Sequence, residues 1–144
     1  MATLLRRLVL VTGTACVAIG VVHLAFGVAS VPGERSAGPT VDSRERFYAA
    51  VFLGYGLAWL DAGRRSPVPA AAVRRLAGLS LLGGLGRLVS IGVHGRPHWF
   101  QDVLTGVELA LPPMFFGLAD ADERAAANYP PAHRWATRRP ISAA

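Results

Sequence analysis

Lysine is missing altogether: all 15 basic residues are arginines, set against nine acids. Cysteine occurs once, at Cys16, which excludes a disulfide scaffold and any redox chemistry that needs a resolving thiol. Charge is scarce as well, 17% of 144 residues, where a soluble domain carries about 25%. Such a chain is too apolar to be a coiled coil or to stay disordered in water. What it has instead is grease: 52% of its residues are hydrophobic and the mean hydropathy is +0.37. At 15.2 kDa there is room for one domain. These bounds leave a small membrane protein.

The formal charge of +6 and the sequence pI near 11.0 would suit a nucleic-acid binder. The arginines, however, lie between long apolar runs and not on one polar face. That is how membrane loops are built, and no nucleic-acid partner is expected.

Four apolar segments stand out. The first runs from Leu8 to Ser30 and is interrupted by Thr12, Thr14 and His23. The second runs from Phe47 to Leu60, and the capping-box-like Asp42-Ser43-Arg44-Glu45 places its start near Ser43. The third, Leu76 to Val93, carries Arg87; the fourth, Phe100 to Ala119, carries Glu108, Pro112 and Pro113. About 20 apolar residues cross the hydrocarbon core. The expected fold is therefore all-α, a four-helix transmembrane bundle with spans at about 8–30, 43–61, 73–93 and 100–119. Residues 1–119 form the membrane domain and residues 120–144 a polar cytoplasmic tail. The connections around Pro32, Pro67 and Pro97 are rich in Pro and Gly, as turns require.

Arginine counts orient this bundle. Arg6, Arg7, Arg64, Arg65, Arg74, Arg75, Arg124, Arg134, Arg138 and Arg139 fall on one side; Arg35, Arg44, Arg46 and Arg96 fall on the other. The positive-inside rule then sets both termini in the cytoplasm of a cell-membrane protein. Trp99 and Phe100 belong to the outer interfacial belt, Trp59 to the inner one, and Trp135 lies among tail arginines that suit an anionic leaflet. The first apolar run exceeds the 7–15 residues of a cleaved signal core, so the helix is expected to be retained.

Polar groups inside the spans point to what the helices bury. Gly13, Gly20 and Gly27 recur every two turns and form one stripe, where another helix can approach closely. His23 lies on the same stripe and must face protein. Arg87 follows Gly83 and Gly84 by one turn. A guanidinium at membrane depth costs about 2.5–3.5 kcal/mol on insertion scales and cannot shed its proton, so it needs a partner. Glu108 is the natural one, beside a carbonyl that Pro112 leaves without its donor. Counted at 1.5 Å per residue from the outer boundary, His23, Arg87 and Glu108 fall roughly 9–12 Å deep. Tyr55 joins them if its span begins near Phe47. His23, Tyr55, Arg87 and Glu108 thus form a candidate polar layer, one residue per helix. Asp42, Glu45 and Arg46, with Tyr48 beside them, form a candidate outer lid.

Other chemistry is declined. His94, His98 and Asp102 have helical metal spacing, but Gly95 and Pro97 break the helix between them. No metal, haem or other cofactor is expected, and no nucleophile elbow, phosphate loop or dinucleotide fingerprint occurs. No catalytic residue is assigned.

The segments Asp42–Leu57 (DSRERFYAAVFLGYGL), Leu82–Arg87 (LGGLGR) and Glu108–Pro113 (ELALPP), in that order, resemble a family of small bacterial four-helix integral membrane proteins known as a domain of unknown function. The likeness spans roughly Val9 to Leu118, and a more distant one is to DoxX-type membrane proteins. The resemblance implies four membrane helices, no assigned activity, and signature positions at Glu45, Arg46, Tyr48, Tyr55, Arg87 and Glu108.

The expected function is a non-enzymatic membrane subunit, accessory or partner-binding, with a structural Arg87–Glu108 bridge. The alternative is a binder or carrier of a small molecule or lipid headgroup through the polar layer, and a weaker one is a membrane enzyme acting on a lipid or quinone. The partner is the lipid bilayer, with room for a homo-oligomer or a membrane partner protein.

Overall fold

A computed structural model describes residues 2–34 and 37–128. It contains α1 (Ala2–Phe26), α2 (Pro39–Arg64), α3 (Ala70–His94) and α4 (Trp99–Asn128), with a short 3-10 turn, Gly27–Ser30, closing α1. No strand occurs among the described residues. Arg35 and the tail residues Arg134, Trp135, Arg138 and Arg139 lie outside them.

Each helix runs further than its apolar core, because polar residues at the ends find local partners. Arg6 extends α1 by donating to the free carbonyls of Gly63 and Arg64 at the end of α2, at 3.0 and 3.2 Å. Helix α2 starts at Pro39, whose fixed φ suits a first turn, and not at Ser43. Helix α4 continues past Ala119 to Asn128, so the expected tail begins as helix. Arg74 on α3 bonds both Asp120 and Glu123 there, which ties the extension down. Helix α4 also stays helical through Pro112 and Pro113, with Pro112 buried.

Three of the four are long and apolar enough to cross a membrane: Ala2–Ser30, α3 and α4. Helix α2 is not among them. It opens with Asp42, Arg44, Glu45 and Arg46 and ends with Asp61 and Arg64, which leaves too short an apolar window between.

The bundle is built from two antiparallel hairpins. In the first, α1 and α2 approach so closely that a Cβ on Gly13 would lie 2.9 Å from Leu60, and one on Gly20 would lie 2.9 Å from the Leu53 backbone. Helix α2 answers with its own small residues two turns apart: Ala49 and Gly56 are buried, and so is Gly63. A Cβ on Gly56 would sit 2.7 Å from the Val17 nitrogen. The glycine stripe expected on α1 is thus a helix contact, matched by a second stripe on α2. In the other hairpin Gly84 admits Leu109 of α4. The two hairpins touch each other much more sparsely than their own helices do.

They meet mainly at the end where α1 begins and α4 finishes. Leu5, Val9, Trp59, Val73, Phe115 and Ala119 form the core there. Trp59 is 1% exposed and packs on Phe115 with ring centroids 4.7 Å apart. It is a core residue, not part of an interfacial belt, because its face of α2 is the one turned to α4. The exterior is apolar: Val11, Val22, Leu57, Leu82, Val89 and Val107 are among many large side chains left exposed. Water would penalise such a surface by about 25 cal/mol per Å² of apolar area; lipid would not.

Candidate functional site

Toward the connection end the hairpins part, and a cavity of about 850 Å³ opens between them. All four helices line it. Helix α1 supplies Ile19, Gly20 and His23, and α2 supplies Arg44, Glu45, Tyr48 and Phe52. Across from them α3 supplies Arg87 and Ser90, and α4 supplies Phe100, Gln101, Leu104 and Glu108.

Each wall carries a hydrogen-bonded polar pair. On the α1–α2 wall, His23 Nδ1 lies 3.2 Å from Glu45 Oε1. On the α3–α4 wall, Arg87 Nε donates to Glu108 Oε2 at 2.8 Å, and its Nη1 donates to Gln101 Oε1 at 2.6 Å. Arg87 and Glu108 are half-buried, at 35% and 21% side-chain exposure. Gly83 lies against the carboxylate: a Cβ there would be in ordinary van der Waals contact with Glu108 Oε2, at 3.5 Å. The pairing that depth arithmetic suggested therefore exists as a direct contact between neighbouring helices.

A smaller cavity of about 260 Å³ adjoins the first. Arg87, Ser90 and Gln101 line both, and Glu34 and Pro97 close the small one toward the connections. Val31 and Pro32 roof the larger cavity. Gly33, at φ +97°, lets this connection lie on the α3–α4 turn, because a Cβ there would come within 2.8 Å of His98. His98 is thus a packing residue, and Asp102 pairs with Arg96 at 3.4 Å.

Tyr55 does not join the layer. Its hydroxyl donates to the Leu76 carbonyl at 2.7 Å, and its ring lies between those of Phe52 and Trp59. The reason is register. With Gly20 facing Leu53 and Gly13 facing Leu60, Tyr55 falls level with Ala18, five residues and about 7.5 Å deeper than His23.

The lid also resolves differently. Glu45 and Tyr48 line the cavity, but Asp42 and Arg46 do not. They clamp the end of α1 instead. Arg46 Nη1 donates to the carbonyls of Leu24 and Ala25 at 2.6 and 3.0 Å, which as the last carbonyls of a helix have no partner of their own. Asp42 accepts Arg46 Nε at 2.8 Å and the Val28 N–H at 3.1 Å. The Arg46 hydrogen bond, and after it the Val28 N–H, holds the Asp42 carboxyl below the usual carboxylate range.

Sequence reasoning missed Gln101, Arg44 and Ser90. Gln101 had a legible signal, as it precedes Glu108 by two turns on one face of α4. Arg44 read only as part of a charged helix start.

Residues 4–119 match the family model described as a domain of unknown function, DUF4345. The chain belongs to that family. Both walls of the cavity lie inside the matched stretch of this DUF4345 protein, and so do the glycine stripes that build the first hairpin. No curated protein and no solved structure matches the chain.

Proposed function

We propose that this DUF4345 protein is a multi-pass protein of the cell membrane that binds a small amphiphilic molecule, a lipid headgroup included, in the cavity between its hairpins. The observation that carries this reading is the cavity itself: four helices converge on one space in which His23, Glu45, Arg87 and Glu108 stand beside Ile19, Phe52, Phe100 and Leu104. Pockets that hold small molecules have this mixture of apolar wall and few polar groups, and volumes of about 300–1,000 Å³.

In this reading α2 is the fourth span, sheltered by α1 where its own surface is too polar for lipid. Arginine bias sets the termini in the cytoplasm, so the cavity opens in the outer half of the membrane. A reporter fused after Asn128 should then read as cytoplasmic.

A second reading has a specific observation in its favour. The Arg87–Glu108 contact joins adjacent helices, as a purely structural bridge of an accessory or partner-binding subunit would.

Native mass spectrometry of protein purified in mild non-ionic detergent separates the two. Binding predicts a retained small-molecule or lipid adduct, lost when Leu104→Trp fills the cavity in a variant of unchanged helicity and elution volume. The same adducts on both proteins, or none on either, would leave the structural reading standing.

A further inference from the structure

We infer that the cavity selects an amphiphile whose head is an anion, a phosphate or a carboxylate, met by Arg44 and by the free edge of Arg87. This rests on the cavity-binding reading and adds the chemistry of the ligand.

The argument is one of uncommitted hydrogen-bonding capacity. The formal charges of the lining balance: Arg44 and Arg87 stand against Glu45 and Glu108. The acids, however, are already engaged. Glu45 has His23 at 3.2 Å, and Glu108 has Arg87 at 2.8 Å. What is left over is donor. Arg44 has no hydrogen-bond or ion-pair partner among the described residues, and Arg87 uses Nε and Nη1 and leaves Nη2 open. The hydroxyls of Tyr48 and Ser90 are unbonded there as well and line the same space. The half-buried edge of Arg87 and the exposed Arg44 guanidinium both suit an oxyanion, because the hydrogen bonds they donate to it are charge-assisted and about twice as strong as neutral ones. A cationic head would find both acids occupied and two arginines facing it.

The rest of the ligand follows from the walls. Ile19, Phe52, Phe100 and Leu104 give an apolar body somewhere to lie. The sparse contact between the hairpins lets that body continue toward the membrane without breaking a tight helix seam. A phosphate or carboxylate without such a body would meet the arginines but leave this surface bare.

The test uses the full chain in a non-ionic maltoside detergent, with ligand affinity read from the shift in melting temperature. Three probes are titrated: dihexanoyl-phosphatidylglycerol, dihexanoyl-phosphatidylcholine and inorganic phosphate. The anionic lipid should bind about tenfold more tightly than the choline lipid, and inorganic phosphate should not compete with it. Arg44→Gln, a change at an exposed side chain, should remove most of that preference and leave folding intact. Glu108→Gln should strengthen binding of the anionic lipid, since it releases Arg87 from its carboxylate. Equal affinity for the two lipids, or an Arg44→Gln variant with the full preference, would overturn the anion assignment while leaving the cavity as a binding site. Inorganic phosphate that binds as tightly as the lipid would overturn the amphiphile and keep the anion. If none of the probes binds, the anion assignment falls; the adduct experiment above decides separately whether the cavity binds anything.

Discussion

Gly27 and Asp42 are fitted to one another. Gly27 adopts φ +56°, and a Cβ there would lie well inside van der Waals contact of Asp42 Oδ1, the atom that accepts the Val28 N–H. The left-handed conformation costs an L side chain roughly 1–2 kcal/mol, and displacing Asp42 adds to it. Gly27→Ala is expected to destabilise the fold by about 2 kcal/mol or more, read as a lower melting temperature in detergent.

Glycines in helix interiors should divide by their surroundings. At Gly56 an added methyl meets the backbone nitrogen of Val17 at 2.7 Å, and a backbone atom in a packed helix cannot retreat. Gly56→Ala should cost about 1–3 kcal/mol as an overpacked contact. At Gly106 nothing lies within 4 Å, so Gly106→Ala should gain about 0.5–1 kcal/mol from a stiffer helix. Paired unfolding curves of the two variants measure the contrast.

The Arg87–Glu108 bridge can be broken or replaced. Glu108→Ala leaves the guanidinium with only Gln101. The cost should be about 1–3 kcal/mol, less than the 3–5 of a fully buried pair because Arg87 is 35% exposed. The double variant Arg87→Met with Glu108→Leu should recover most of that loss, since apolar side chains of similar volume suit the site. It should nevertheless lose any ligand that needs the guanidinium. A double variant that folds and still retains the ligand would leave Arg87 without a binding role.

Acid should loosen the α1–α2 connection. Asp42 has its carboxyl pKa lowered by Arg46 and by the Val28 N–H. A depressed folded-state value means the stabilisation is complete above the unfolded value and disappears as pH falls through the folded one. Asp42→Asn should therefore melt lower than the native chain near neutrality, and the gap should close at pH below the usual carboxylate range. Glu123, held down by its Arg74 hydrogen bond, follows the same sign at the other end of the bundle. A gap that widens in acid would contradict the Asp42 clamp.

Much of this architecture could be read along the chain because it is one-dimensional. Apolar runs along the helices, the seven-residue recurrence of Gly13, Gly20 and Gly27, and the common level of Arg87 and Glu108 all follow from 1.5 Å per residue and 3.6 residues per turn. A guanidinium in an apolar helix also demands a partner wherever it sits. Those constraints were enough to specify the helices and one ion pair. Which helix faces turn toward each other depends on the register between helices, and the register is set by close backbone contacts. Leu53 against Gly20 moved Tyr55 out of the layer; the free carbonyls ending α1 drew Arg46, and the Val28 N–H drew Asp42, away from the cavity mouth. The cavity itself has no signature in the chain. It exists because small residues pull each hairpin tight while bulky Trp59 and Phe115 join the hairpins toward the end where α1 begins.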